Sequence, residues 1–98
     1  MRVASTTWLG ERNGSRFEIV VEIGEPYQCS PEEWACPVAL RGLHDRLRDM
    51  HGGDALQALC LAIRLAFSLL AAFKDEGGKI FHRDGGEVPL ESYVLKVA

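Results

Sequence analysis

Two short runs set an imidazole beside a carboxylate, His44-Asp45 and Asp49-x-His51. General acid–base work uses such pairs, because a carboxylate orients the ring and favours its charged form near neutral pH. A nucleophile or an oxyanion-stabilising run should accompany them, and none is recognisable nearby, so a solvated, charge-balanced loop is the plainer reading. Cys29, Cys36, His44 and His51 offer soft and borderline ligands to zinc. Their spacings of seven, eight and seven residues miss the short cysteine and histidine pairs that mark zinc modules. Gly52-Gly53 stands before a helix start, where free N–H groups can hold a phosphate. The Lys-Ser/Thr of a P-loop is missing, however, and Asp54 would repel the anion. The expectation is therefore no catalytic residue, no metal and no cofactor.

Charge and cysteine usage narrow the field further. The 98 residues carry a net charge of −3, which argues against a nucleic-acid partner. Arg41, Arg46 and Arg48 form a small basic patch that Asp45 and Asp49 largely neutralise. Six acidic residues (Glu11, Glu18, Glu22, Glu25, Glu32 and Glu33) fall in the N-terminal half, a distribution that would suit a basic partner. Three cysteines give an odd number without a CxxC pair, and residues 1–15 lack the apolar run of a signal peptide. A reducing cytoplasm is expected.

These residues must be positioned by the one stretch long and apolar enough to organise a core, DALQALCLAIRLAFSLLAAF, residues 54–73. Asp54 is a good N-cap and Gly77-Gly78 a good stop, so the helix is expected over about residues 54–76. Leu56, Leu59, Ile63, Phe67 and Leu70 make one face at helical spacing, and Leu61, Leu65 and Leu69 belong to a second. An apolar helix of this length also suggests a membrane span. Arg64 near its centre and Asp54, Asp75 and Glu76 at its ends argue for a soluble helix whose second face meets another chain.

Before the helix, RVASTTWL (2–9) reads as a strand, Asn13-Gly14 as a hairpin turn and RFEIVVEI (16–23) as its partner. Phe17, Ile19, Val21 and Ile23 should face the helix. Ser30-Pro31-Glu32-Glu33 resembles a capping box, so a short helical turn is expected within the 24–35 loop. Residues 36–51 fit a strand or a helix. A third strand over about 37–43, bulged at Gly42 and followed by extended chain to Met50, is preferred. Residues 79–82 read as a short strand, Asp84-Gly85-Gly86 as a turn, and residues 90–97 as a terminal edge strand or arm, with Tyr93, Leu95 and Val97 alternating.

Cys36-Pro37, Gly42, Gly53, Asp54, Ala55, Gln57, Ala58 and Leu59 follow a pattern of a Cys-Pro strand, a glycine and then G-x-D-[AS]-x-Q-A-L. Over about residues 17–76 the chain resembles a group of small uncharacterised bacterial domains, and the resemblance implies a fold without an activity. In layout it is also similar to HicB-type antitoxins, whose small sheet and helix bind a toxin. It departs from them in lacking their G-x-T or G-D-T helix start and the Glu-Ala pair.

The expected architecture for residues 1–98 is a single two-layer α+β domain, an antiparallel sheet of three to five strands packed on one long helix. The leading expectation is a non-enzymatic protein–protein interaction module that forms a homodimer. Leu61, Leu65, Leu69, Trp8, Trp34 and Tyr27 are its candidate interface residues. The alternatives are an inhibitor, antitoxin or immunity-type protein using its acidic face, and a small enzyme using His44 or His51.

Overall fold

A computed structural model describes residues 2–93. Its centre is a hairpin of β1 (Arg2–Arg12) and β2 (Ser15–Gly24), antiparallel from Trp8 opposite Ile19 to Arg12 opposite Ser15. Asn13 and Gly14 both take positive φ, 52° and 80°, the backbone a two-residue hairpin turn requires. β5 (Val38–Arg41) pairs with β2 on one side, and β7 (Lys79–Phe81) pairs with Leu9–Glu11 of β1 on the other. The resulting sheet has the order β5-β2-β1-β7. Period-two alternation places Ile19, Val21 and Ile23 in the core with Phe17 at its margin, as the pattern of RFEIVVEI requires.

A second, three-stranded sheet was not legible in the sequence. β3 (Tyr27–Ser30) and β4 (Glu33–Cys36) form a hairpin, and β6 (Met50–Gly52) pairs with β4 to give the order β3-β4-β6. Ser30-Pro31-Glu32-Glu33 is therefore the reversal of a β-hairpin and not a helix start. Proline fits the turn as well as it fits a first helical turn, and the flanking residues find strand partners. Residues 38–41 are the expected third strand. Gly42 takes φ 92° in the turn that follows, and a bridge joins Leu40 to His44. The fold is thus α+β, with one helix packed against two antiparallel sheets.

The helix α1 (Ala55–Asp75) is capped by Asp54, whose carboxylate accepts from the Gln57 N–H at 2.8 Å, while the Gln57 side chain accepts from the Gly53 N–H. This reciprocal pair satisfies one free donor of the first turn, the Gln57 N–H, and ties down the chain just before the cap. At the other end Gly77 and Gly78 return N–H groups to the carbonyls of Lys74 and Phe73. α1 crosses β4 and β6 of the small sheet and β2, β5 and β7 of the large one.

The buried side of α1 is Ala58, Ala62, Ala66, Leu70 and Phe73. This departs from the expected inner face, because Leu56 is 70% exposed and Ile63 36%. Close approach is the physical reason. A Cβ on Gly52 of β6 would lie 2.7 Å from the backbone nitrogen of Ala58, so strand and helix touch backbone to backbone. Only small side chains fit between them. After β7, Val88 and Leu90 close the core, and Leu90–Ser92 is a short 3-10 helix. The terminal strand expected over 90–97 is thus replaced at its start by helix, and its remainder, residues 94–98, lies outside the described residues.

Candidate functional site

The residues singled out for chemistry are dispersed. Cys36 lies at the core side of β4, where burial pushes its thiol up, with the Asp49 carboxylate adding to the effect. Its S–H donates to the Gly24 carbonyl at 3.4 Å, as a small hydrophobe with a weak donor does. Cys29 and Cys60 are exposed. His51 on β6 puts Nδ1 2.7 Å from the Glu33 carboxylate across the small sheet, with both groups about half exposed. Among the described residues no group of three or more His, Cys, Asp or Glu side chains is placed to hold a metal ion. Of the Gly52-Gly53 donors needed for a phosphate, that of Gly53 is engaged by the cap, donating to Gln57.

His44 borders a depression of about 350 Å³ with Arg12, Leu43, Leu69, Phe73 and Glu76. Arg12 stacks over the Phe73 ring at 4.9 Å, and its guanidinium is 3.9 Å from Glu76. No Ser, Thr, Cys or Lys lines the depression, so the imidazole has no nucleophile to activate there. Tyr27, exposed on β3, donates to Asp49 at 2.5 Å. That hydrogen bond pushes its phenol up to about 12.

The acidic N-terminal half is largely paired within the chain. Arg16 meets Glu11, Arg83 meets Glu18, and both Arg2 and Arg41 meet Glu22 at 3.2 and 2.6 Å. The Arg41 hydrogen bond holds Glu22 below the usual carboxylate range, Arg2 contributes in the same direction, and partial desolvation works against both. With His51 beside Glu33, four of the six acidic residues noted in the sequence face a basic group of their own chain.

The apolar surface is concentrated elsewhere. Leu56, Cys60, Ile63, Phe67 and Ala71 recur at helical spacing along the side of α1 turned from the core, and all but the half-buried Phe67 are exposed. Of the most apolar 18-residue window of α1, 28% is buried. By length and composition this helix also suffices to cross a membrane, a property that core helices of soluble proteins share. The expected interface residues fall differently. Leu65 and Leu69 are half-buried against the core, Leu61 is half-buried, and Trp34 packs at the core margin. Trp8 is 3% exposed and belongs to the core, edge-on to Phe67 and Tyr93, so it offers no surface to a partner. Strand alternation carries the reason: Trp8 stands opposite Ile19 on the helix side of the sheet. Of the aromatic candidates only Tyr27 is open to solvent. Leu56 and Ile63 were assigned to the wrong side of the helix, and the run of alanines four residues apart was the signal that could have placed them.

Fold and surface together define a small α+β domain with one helix laid across two antiparallel sheets and, among the described residues, an apolar flank of that helix left uncovered. The chain belongs to the family of the domain of unknown function DUF6968, whose model matches residues 6–89. No curated protein and no solved structure matches it.

Proposed function

We propose that the chain is a non-enzymatic interaction module that self-associates through the outward face of α1. The carrying observation is that face itself, with Leu56 70% exposed on a helix that has apolar side chains on nearly all sides. A small chain reduces such exposed apolar surface by pairing it with a like surface, and a two-fold axis lets one patch serve both copies. An antiparallel crossing centred near Arg64 brings Leu56 to the Ala71-Ala72 end of the second helix, large against small. The same crossing sets Asp54 near Lys74 of the second copy, so the ends of the patch are complementary in charge. The pairing of Glu11, Glu18 and Glu22 with arginines of the chain favours this reading over an inhibitor that offers its acids to a basic target. The exposed thiols of Cys29 and Cys60 suit a reducing compartment, here the bacterial cytoplasm.

Light scattering over a concentration series tests the reading. Twice the chain mass in the wild type and the chain mass in Leu56→Glu, with unchanged circular dichroism, are expected. A wild type that stays at the chain mass of 10.8 kDa at every concentration rejects it.

A further inference from the structure

We propose that Arg2 and Arg41, held in place by Glu22, form a binding site for the carboxylate of a small ligand with a short apolar body. The three side chains meet on the face of the large sheet turned from α1, since Glu22 alternates with the buried Val21 and Ile23 of β2. Arg41 stands opposite Val20 and Arg2 opposite Gly24, each two residues along β2 from Glu22, so both reach it on the diagonal. The Glu22 carboxylate accepts from Arg2 Nη1 at 3.2 Å and from Arg41 Nε at 2.6 Å.

Three observations set this cluster apart from the other ion pairs of the sheet. The first is aim. The β1–β2 register shifts between Arg2 and Ala4. In a regular strand Arg2 would share the helix side with Ala4, Thr6 and Trp8. The irregularity turns it to the side of Glu22 instead, as a bulge re-aims a side chain. The second is charge. Arg16–Glu11 and Arg83–Glu18 match one cation to one anion, whereas two guanidiniums share Glu22 and leave one positive charge over. The third is space. The arginines border a depression of about 400 Å³ whose other walls include Pro37, Val38 and Ala39, and Glu22 is the one acid in its lining.

The Glu22 side chain is 14% exposed and those of Arg2 and Arg41 are 66% and 69% exposed. The acid therefore lies beneath, and the cations face outward. Apart from Glu22, neither fork has a side-chain acceptor among the described residues. Their remaining N–H groups match the paired oxygens of a carboxylate. A single surplus charge complements that monoanion, and the walls of Pro37, Val38 and Ala39 suit a short hydrocarbon body. Glu22 is a positioning residue, which fixes two long side chains before the ligand arrives.

Amide and guanidinium shifts in NMR titrations of the full chain test the site, with isovalerate and its uncharged amide as probes. Isovalerate should shift Gly24, Val38 and Ala39 saturably in the millimolar range, as befits a ligand of so few atoms, and the amide should not. Arg41→Lys keeps the charge but loses the fork, and should weaken binding about tenfold or more, with Arg83→Ala unchanged. Glu22→Gln adds net positive charge, so a diffuse cationic patch would bind more tightly, whereas a positioned pair binds more weakly. A valine-ending tripeptide that binds more tightly than isovalerate assigns the carboxylate to a chain terminus, and the reverse order assigns it to a small acid. Shifts that do not saturate, equal shifts with the amide, or tighter binding by Glu22→Gln overturn the proposal. The site lies on the sheet face away from α1, so these readouts are independent of the mass measured for Leu56→Glu.

Discussion

Along α1 the side chains that lose all contact with solvent include Ala58, Ala62 and Ala66, while Leu56 and Ile63, with several times their apolar area, remain exposed. The two sides of the helix are built for different distances. On the inner side the small sheet comes so close at Gly52 that methyl groups fill the gap, and the fit depends on spacing. On the outer side nothing within the described residues fixes a distance, and the larger side chains are free to meet whatever approaches. Burial within one chain and capacity for contact with another are thus carried by different residues of a single helix.

The sharpest way to break this contrast is at the foot of the inner side. Leu70 is fully buried, and Leu70→Ala should cost about 2–5 kcal/mol in chemical denaturation, through lost transfer energy and a residual cavity. A loss below about 1 kcal/mol would mean that the inner side collapses freely and is not set by spacing. Next comes overpacking. Ala62→Leu should destabilise by about 1–3 kcal/mol, although it adds apolar surface. Leu56→Ala, which removes the same group from the outer side, should change monomer stability by no more than about 0.5 kcal/mol. Similar losses for the two would erase the distinction between the sides. Removal of the cap in Asp54→Ala should cost about 1 kcal/mol, since the Gln57 N–H loses its acceptor in the first turn.

The smallest effect belongs to the outer surface of the small sheet. In an ultraviolet titration the phenol of Tyr27 should ionise at about 12, and Asp49→Asn should return it toward 10. Because the folded state raises this value, its contribution to stability is complete below pH 10 and is lost as pH rises toward 12. An unshifted phenol would remove the Tyr27–Asp49 hydrogen bond from the description of that surface.

Much of the frame was legible in the residues. Asn13-Gly14 has few uses other than a tight hairpin turn, and Asp54 followed by Gln57 announces a capped helix as plainly as Gly77 announces its end. Where two conformations satisfy the same local chemistry, the residues were silent. Ser30-Pro31-Glu32-Glu33 serves as a helix start or a strand reversal, and only the pairing of Tyr27 with Ala35 and of Cys36 with Met50 decides between them. The orientation of α1 was misread for a related reason. Periodicity ranks faces by apolar content, whereas the packing ranked them by size, and Gly52 supplies the contact that no pattern within the helix contains. The candidate residues Leu61, Leu65 and Leu69 followed from the same ranking, and all three are half-buried.

The alanine stripe also shapes what a mutational survey of this domain would hear. An alanine scan passes over Ala58, Ala62 and Ala66 without altering them, and would credit the seating of α1 to its larger side chains, Leu70 and Phe73 first among them. The residues that set how near the helix lies to both sheets fall in its blind spot, and only substitutions that add atoms would make them audible.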